Sequence, residues 1–301
     1  MSDAFFAVVN PAAGGGRCRK LVGPALEKLR AAGLRIEVGE TRAPGEGTAL
    51  TRDAYGRGYR RFLAVGGDGT AYEIVNGLFP GVEERREPPT LAFLPLGTGN
   101  SFLRDFSDQG LEYATGALLA GRTRPCDVLR MKHKDGVLHF INLLSVGFAA
   151  NVAVMRHRRF QRYGELGYLM AVFIGLARLE RRAFPLCVDG EEKIDQRRCL
   201  FLTFNNSKFT GGTMMIAPQA ETGNGFIEYV RWGPIGRLGL LRNLPTLYDG
   251  THIQHPLAER RAARRIDFHL HAPVDVMVDG EVLTLHLQAL DVLPGALSVM
   301  V

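Results

Sequence analysis

The chain has 301 residues, of which 46% are hydrophobic and 23% are charged. This length favours two packed domains over one, and this composition excludes an intrinsically disordered chain. The 37 lysines and arginines outnumber the 31 aspartates and glutamates, and the resulting net charge of +6 permits phosphates, anionic lipid surfaces or nucleic acid as partners without selecting among them.

The cysteines, the N-terminus and the longest apolar stretch argue against three further classes of protein. The 4 cysteines form no CxxC pair, which favours reduced, buried thiols over a zinc site or a disulfide framework. No basic region precedes the first apolar run, so we expect a cytoplasmic protein without a signal peptide. The longest uncharged apolar stretch, residues 166–177, is shorter than the roughly 20 residues of a spanning helix, so membrane contact is expected to be peripheral.

The first 120 residues alternate short apolar runs with helical patterns. Strands are predicted at residues 5–9, 34–38, 62–65 and 91–94. Helices are predicted at residues 18–32, 49–55, 71–79, 101–106 and 111–120. This alternation is typical of an open parallel sheet, and it predicts an α/β domain over residues 1–126.

The pattern changes at Asp127 to runs of alternating hydrophobicity separated by hairpin signals. These signals are the Asp-Gly pairs at residues 135–136, 189–190 and 279–280. They predict a mainly antiparallel β domain over residues 127–301, with its last strand packing back on the first domain. Two predicted helical segments, near residues 160–182 and 235–248, interrupt this domain.

Three of the four predicted N-terminal strands end in glycine-rich turns. These are residues 10–16 (Asn-Pro-Ala-Ala-Gly-Gly-Gly), 66–70 (Gly-Gly-Asp-Gly-Thr) and 96–100 (Leu-Gly-Thr-Gly-Asn). Each turn opens a helix, whose unpaired N–H groups carry partial positive charge, and glycine lets a ligand approach the backbone closely. Turn geometry alone explains any single turn equally well. The three together predict an anion cradle for a polyphosphate nucleotide.

Two further features bear on these turns. The chain has no Gly-x-x-x-x-Gly-Lys-Ser/Thr sequence and no Gly-x-Gly-x-x-Gly after its first strand, so neither a P-loop nor a dinucleotide fingerprint is supported. Thr70 and Glu73 match a capping box, in which Glu73 reaches back to the backbone of Thr70. Glu73 therefore has a structural interpretation beside a functional one.

Taken together, these motifs resemble the catalytic domain that bacterial diacylglycerol kinases share with sphingosine kinases and ceramide kinases. The first-domain matches are Asn10-Pro11 with the following glycines, residues 66–70 with Glu73 and Asn76, and residues 97–100. The second-domain matches, which extend the likeness over nearly the whole chain, are residues 140–142, 145–148, 205–206, 210–212 and 217–218. The Gly-Gly-Asp-Gly-Thr core also occurs in NAD kinases and phosphofructokinases, and the flanking motifs favour the lipid kinases.

The resemblance implies an α/β domain of the NAD kinase and diacylglycerol kinase type that binds ATP and Mg²⁺ in the cleft between the domains. By this likeness, the residues that line the ATP site are Asn10, Pro11, Ala12, Ala13, Gly14, Thr41, Gly66, Gly67, Asp68, Gly69, Thr70, Glu73, Gly97, Thr98 and Asn100. Asp68 would also help to organise the catalytic magnesium through water.

Phosphoryl transfer also needs a group that accepts the proton of the attacking hydroxyl. Asp279 and Glu281 match the family's C-terminal Asp-Gly-Glu, and the resemblance implies that they act together as the base. The tetrapeptide Val-Asp-Gly-Glu occurs at both 188–191 and 278–281, and Asp-Gly is also a common hairpin signal, so only the resemblance prefers the second copy. Asp127 matches an aspartate near the family's active centre, and a role as a linker cap explains it equally well.

The sequence differs from the pattern of this family at two places. Bacterial members bind a structural magnesium within a Pro-x-Ala-x-x-Asp-Asp-Gly-Leu segment, which aligns here with residues 218–226 and makes Glu221, Asn224 and Phe226 the candidate ligands. Asn224 stands where an aspartate is expected, and magnesium prefers charged oxygen ligands, so we expect this site to be unfilled. Ser101 stands where many bacterial members have an aspartate; sphingosine kinases also lack the acid at this position, so the change does not imply inactivity.

The implied activity is transfer of the terminal phosphate of ATP to a lipid hydroxyl, with diacylglycerol as the first expectation. The alternatives are a sphingoid-base or ceramide kinase, an NAD kinase, and a nucleotide-binding regulator that has lost catalysis. An apolar helix bracketed by arginines at 156–159 and 178–182 fits either a membrane-docking element or a core helix with a solvated rim. No nucleic-acid recognition motif accompanies the positive charge, and a homodimer is compatible with the sequence.

Overall fold

A computed structural model describes residues 3–79, 81–85, 88–155, 174–175 and 180–301. The predicted arginine-bracketed helix lies almost entirely outside these residues. The described elements of the N-terminal part are β1 (Phe5–Val9), α1 (Arg17–Ala31), β2 (Ile36–Glu40), α2 (Glu46–Gly56), β3 (Arg61–Gly66), α3 (Asp68–Leu78), α4 (Gly81–Arg85), β4 (Thr90–Pro95), α5 (Ser101–Arg104) and α6 (Leu111–Ala120).

Four parallel strands form the centre of this part, in the order β2-β1-β3-β4. Strands β1 and β3 carry unbroken runs of buried apolar residues because helices cover both faces of the sheet. Val9 pairs with both Glu40 and Val65, and Gly66 pairs with Pro95. The four strands are therefore in register at their carboxyl ends, and the loops that follow them leave the sheet at the same edge.

The elements that follow are mostly short strands. They are β5 (Thr123–His133), β6 (Gly136–Phe140), β7 (Leu143–Gly147), α7 (Phe148–Met155), β8 (Arg182–Ala183), β9 (Leu186–Val188), β10 (Arg198–Cys199), β11 (Phe201–Asn205), β12 (Phe209–Thr210), β13 (Met214–Met215), β14 (Ile227–Trp232), α8 (Arg237–Asn243), α9 (Thr246–Asp249), a 3₁₀ turn (Thr251–Gln254), β15 (Ala258–Ala263), β16 (Arg265–Phe268), β17 (Val274–Val278), β18 (Glu281–Leu285) and β19 (Leu287–Met300).

Six of these strands form an antiparallel sheet in the order β15-β14-β11-β7-β17-β18. The long strand β19 joins this part to the parallel sheet, because its last residues, 298–300, run parallel to residues 90–92 of β4. The same strand pairs antiparallel with β5 and β16, which extends the first sheet to nine strands. An apolar cluster contributed by both sheets fills the space between them.

The predicted fold class, an α/β domain with a parallel sheet followed by a mainly antiparallel β domain, is confirmed. The division at residues 126 and 127 stays a prediction, and β5 runs without interruption through this point. The predicted helix at 235–248 is wrong as a single element, since Pro245, which lacks an N–H group, separates α8 from α9. The described residues contain no helix long and apolar enough to span a membrane.

Candidate active site

The three glycine-rich loops meet backbone to backbone at the level edge of the parallel sheet. A Cβ atom on Gly67 would lie 2.6 Å from the carbonyl oxygen of Gly99, and one on Gly97 would lie 2.8 Å from the nitrogen of Gly67. Gly14 has a φ of +64°, and a Cβ there would lie 3.0 Å from the carbonyl oxygen of Leu96. Only glycine allows this approach, so the sequence positions these loops as one cradle.

The first loop is fixed by its own side chains and by β3. Asn10 donates its N–H to the carbonyl of Val65 at 3.0 Å, and its Oδ1 accepts the N–H of Ala12 at 3.1 Å. Thr41 is held at the same edge because its N–H and its hydroxyl both donate to the carbonyl of Val9. Pro11 and Ala13 lie in the turn between these contacts and α1. The predicted nucleotide-site residues of this loop therefore share one edge of the cradle.

Replacing Gly67 by alanine is expected to push the second and third loops apart. The new Cβ would clash with backbone atoms of Gly99, which cannot move aside as the end of a side chain could. We expect the KM for nucleotide to rise at least about fivefold, in line with an overpacking cost of roughly 1–3 kcal/mol. Gly116→Ala is the matched control, since a Cβ there meets nothing within 4 Å. An unchanged KM in Gly67→Ala would show that the cradle does not hold the nucleotide.

Asp68 begins α3 and points its carboxylate toward the third loop. The carboxylate accepts the N–H groups of Ser101 at 2.9 Å and Phe102 at 3.4 Å, while its own N–H donates to the carbonyl of Gly99 at 3.0 Å. Burial raises the pKa of Asp68 above its usual range, and the two N–H groups oppose that rise. Thr98 and Asn100 complete this loop, with Thr98 exposed at its tip.

Ser101 has a role that the sequence did not reveal. This buried residue donates its N–H to Asp68, and its hydroxyl oxygen accepts the N–H of Gly212 at 2.9 Å. Four residues further on, Asp105 accepts the N–H of Lys208 at 2.9 Å. Ser101 and Asp105 together hold the segment around Thr210 against the phosphate cradle. Because Gly212 lies 111 residues further along the chain, no local sequence signal indicates this positioning role.

Asp279 lies in the tight turn between β17 and β18 and is buried. Its φ is +47°, and its carboxylate accepts the N–H groups of Ile141, Asn142 and Leu143, each at 3.0 Å. Burial raises the pKa of Asp279 to about 7, against the effect of these N–H donors, and the negative charge of nearby Asp68 adds to the rise. These contacts make Asp279 the anchor of the turn.

The first Val-Asp-Gly-Glu copy forms the same turn elsewhere in the molecule. Asp189 has a φ of +49°, and its Oδ1 accepts the N–H groups of Arg264 and Arg265, each at 2.8 Å. Asp189 is exposed, and Glu191 forms an ion pair with Arg261 at the surface. In both copies, the aspartate of the turn binds the backbone of a neighbouring segment. The two copies differ in burial, because Asp279 is buried and Asp189 is exposed.

Glu281 brings the second copy to the phosphate cradle. A Cβ atom on Gly69, in the first turn of α3, would lie 2.7 Å from its Oε1. The residue is exposed, and the positive end of the α3 dipole favours a negative charge at this place. Burial raises the pKa of the neighbouring Tyr72, and the negative charges of Asp279 and Glu281 add to this rise. The structure thus brings Asp68, Asp279 and Glu281 together.

The predicted capping box between Thr70 and Glu73 is wrong. The N-cap of α3 is Gly67, and the Glu73 carboxylate instead accepts the N–H groups of Gly45 at 2.8 Å and Gly47 at 2.7 Å. This reach across 26 and 28 residues is possible because parallel strands bring α2 and α3 side by side. Glu73 therefore fixes the start of α2 beside the cradle.

Asp127, whose role as a catalytic candidate or a linker cap stays a prediction, joins two chain segments. Its carboxylate accepts the N–H groups of Gly225 at 2.6 Å and Gly295 at 2.8 Å, and its own N–H donates to the carbonyl of Thr222 at 2.6 Å. Burial raises the pKa of Asp127, and both carboxylate hydrogen bonds oppose that rise. Its contacts are thus with the segment that precedes β14 and with the irregular middle of β19.

The segment at residues 218–226 does not fit the structural magnesium site that the resemblance implies. The Oδ1 of Asn224 accepts the N–H of Phe226 at 2.9 Å, and the Asp127 carboxylate is bonded to the backbone at Gly225. Within the described parts of the chain, no group of three or more acidic, histidine or cysteine side chains could hold a metal. Asn224 places a neutral amide, already bonded to the backbone, where a carboxylate is expected, and the expectation that Glu221, Asn224 and Phe226 hold no magnesium stays a prediction.

We expect EDTA or added Mg²⁺ to leave the Tm of the nucleotide-free protein unchanged, because hydrogen bonds from Asp127 hold this segment. Asp127→Asn is expected to lower the free energy of unfolding by about 1–3 kcal/mol, since the N–H group of Gly225 or Gly295, both partly buried, would then face an amide donor. Thermal unfolding of both proteins with each addition tests this. A Tm of the unaltered chain that falls in EDTA would contradict it.

Two family models match the chain. The diacylglycerol kinase catalytic domain model matches residues 4–131, and the YegS C-terminal NAD kinase beta sandwich-like domain model matches residues 142–301. A curated relative named diacylglycerol kinase from Mycobacterium tuberculosis is 26% identical over 98% of this chain and 94% of its own length. Its namesake from Bacillus subtilis is 24% identical over 91% of this chain and 88% of its own length.

The solved structures show the same fold. A structure described as a diacylglycerol kinase from Bacillus anthracis covers 99% of this chain and 96% of its own, with a TM-score of 0.73 at 19% identity. The second family model alone matches more than half of the chain, and the first model contains the three loops of the cradle. The chain therefore belongs to the diacylglycerol kinase family of lipid kinases, and it is a kinase that phosphorylates an alcohol group.

Proposed function

We propose that this kinase transfers the γ-phosphate of ATP to the free hydroxyl of diacylglycerol, which yields phosphatidic acid and ADP. The observation that carries this proposal is the approach of Glu281 to the first turn of α3, beside Asp68 and the glycine cradle. That arrangement sets a proton acceptor next to the place where phosphates would bind. The names of the relatives support diacylglycerol as the acceptor.

The cradle supplies donors for the phosphates of the nucleotide. Backbone N–H groups of the three loops and the N-termini of α1 and α3 face the same edge of the sheet. These groups orient the terminal phosphate and exclude water from it.

Asp68 fits a role in holding magnesium through water. Magnesium in kinases is bound by one or two carboxylates together with the phosphates of the substrate, so a cluster of protein ligands is not required. When bound, the ion neutralises charge on the transferred phosphate. The N–H groups of Ser101 and Phe102 fix the orientation of the Asp68 carboxylate for this task.

Glu281 is the proton acceptor in this mechanism. The oxygen of the lipid hydroxyl attacks the γ-phosphorus, its proton passes to the Glu281 carboxylate, and the bond from the γ-phosphorus to the bridging oxygen breaks as ADP leaves. Asp279 positions the turn that carries Glu281 through its three backbone hydrogen bonds. The roles of the two carboxylates are therefore different.

An apolar surface beside the cradle supports a lipid as the acceptor. The segment that Ser101 holds through Gly212 continues into β13, where Met214 packs with Phe148 and Leu244 on one apolar cluster. These three side chains are only partly buried. They offer acyl chains a place to lie while the hydroxyl reaches Glu281.

The identity of the acceptor is tested by label transfer from ATP to a panel of diacylglycerol, sphingosine, ceramide and NAD, each at the same concentration. We expect label chiefly in diacylglycerol. Preferential label in sphingosine or ceramide would identify that lipid as the acceptor in place of diacylglycerol. The assignment as a lipid kinase would still hold. Label in NAD alone would contradict the role proposed for the apolar surface.

A further inference from the structure

Helix α8 has one buried face and one exposed apolar face. Leu240 of α8 is buried in an apolar cluster that also contains Trp232, and Leu244 and Leu247, which follow the helix, belong to or pack against the same cluster. On the opposite side, the side chain of Leu238 is 83% exposed and that of Leu241 is 43% exposed. Residues three apart lie on the same face of a helix, so the two leucines form one apolar patch in water.

Two arginines flank this patch, and exposed Asp249 follows at the end of the stretch. Arg242 lies four residues after Leu238, and Arg237 lies four residues before Leu241, so both exposed arginines share the outer face of α8. Between residues 233 and 248 the chain has two arginines and no aspartate or glutamate. Tyr248, half-exposed, follows at the end of the same stretch. This pattern is typical of a helix that lies in a membrane surface, with leucines in the middle, arginines at the sides and a tyrosine at the end.

The outer face of α8 belongs to the same structural unit as one wall of the cradle. The apolar cluster beneath α8 includes Met214, and the neighbouring Gly212 donates its N–H to Ser101. Ser101 in turn donates to Asp68. Helix α8 is therefore connected to the catalytic residues through its buried face, the segment before β13 and Ser101.

We propose that α8 inserts the side chains of Leu238 and Leu241 into the surface of an anionic bilayer, with Arg237 and Arg242 against the lipid headgroups. This inference rests on the proposed function only in that the acceptor lies in a membrane. A second copy of the chain fits this face of α8 less well than a membrane does. A seven-residue helix is about 10 Å long, and its face is far smaller than the ~800 Å² that each partner of a stable complex contributes. Two such faces would also bring arginines together.

The test measures binding to vesicles of phosphatidylcholine with and without phosphatidylglycerol, in the absence of ATP and acceptor. Combining Leu238→Ser with Leu241→Ser is expected to weaken partitioning at least about tenfold, because several buried methylene groups are lost. Arg242→Gln is expected to weaken it about fivefold on anionic vesicles only. Leu119→Ser is the matched control, since Leu119 is 45% exposed on α6 and should leave binding unchanged.

Activity assays separate this inference from the proposed function. The double leucine variant is expected to lose phosphorylation of long-chain diacylglycerol in vesicles and to keep phosphorylation of a short-chain diacylglycerol in solution. Loss of vesicle binding in that variant supports the inference even if no lipid is phosphorylated. Wild-type binding by the double variant, no binding by the unaltered chain, or conversion of a dimer to a monomer by the leucine changes would each overturn it.

Discussion

Replacing Glu281 by glutamine is expected to lower kcat by about 10²- to 10⁴-fold, the usual contribution of a positioned general base. The substitution keeps the size of the side chain that lies against Gly69 and removes its negative charge and its capacity to take a proton. The KM for ATP should change little, because the glycine loops that hold the phosphates are untouched. Steady-state kinetics with saturating lipid measure both constants.

The first Val-Asp-Gly-Glu turn supplies the control for this experiment within the same chain. Glu191→Gln makes the same chemical change after the same turn, where the carboxylate pairs with Arg261 at the surface. Its kcat should stay at the unaltered value. Equal losses in both variants would point to a general effect of the substitution on folding, and no loss in Glu281→Gln would remove Glu281 from the mechanism.

Replacing Asp68 by asparagine is expected to lower kcat by about 10²- to 10³-fold, as removal of one electrostatic stabiliser of the transition state does in other enzymes. The amide oxygen can still accept the N–H of Ser101, so the loop keeps one of its two bonds to this side chain. The negative charge that attracts magnesium is lost, and the concentration of Mg²⁺ that gives half-maximal rate should rise.

Kinetics over a range of Mg²⁺ concentrations measure this effect, with Asp135→Asn in the exposed hairpin between β5 and β6 as the control. If magnesium dependence is the same in Asp68→Asn and in the unaltered chain, Asp68 does not act through the ion. A fall in kcat without that shift would instead assign Asp68 to positioning the third loop.

The fold of the N-terminal part follows from short-range patterns in the sequence. Four apolar runs, each followed by a helical pattern, require parallel strands, and parallel strands align their carboxyl ends. Because glycine turns stand at three of these ends, their convergence could be predicted without the structure. The contacts at Gly67 and Gly97 show why these positions carry glycine.

The roles of the acidic residues depend on long-range contacts that no local pattern contains. Asp189 and Asp279 have the same neighbours in sequence and the same turn, and only the strands around them bury one and expose the other. Glu73 bonds to backbone 26 and 28 residues away, and Asp127 bonds to Gly225 and Gly295, which are 98 and 168 residues away. A capping motif therefore could not assign Glu73, and only the family resemblance distinguished Asp279 from Asp189.

Phosphoryl transfer to diacylglycerol in the presence of Mg²⁺, followed in parallel for the unaltered chain, Glu281→Gln and Glu191→Gln, tests the central claim most directly. We predict labelled phosphatidic acid from the unaltered chain and from Glu191→Gln, and a rate at least about 10²-fold lower from Glu281→Gln. Equal rates of phosphatidic acid formation by the three proteins, or no labelled lipid from the unaltered chain while ATP is bound, would contradict it.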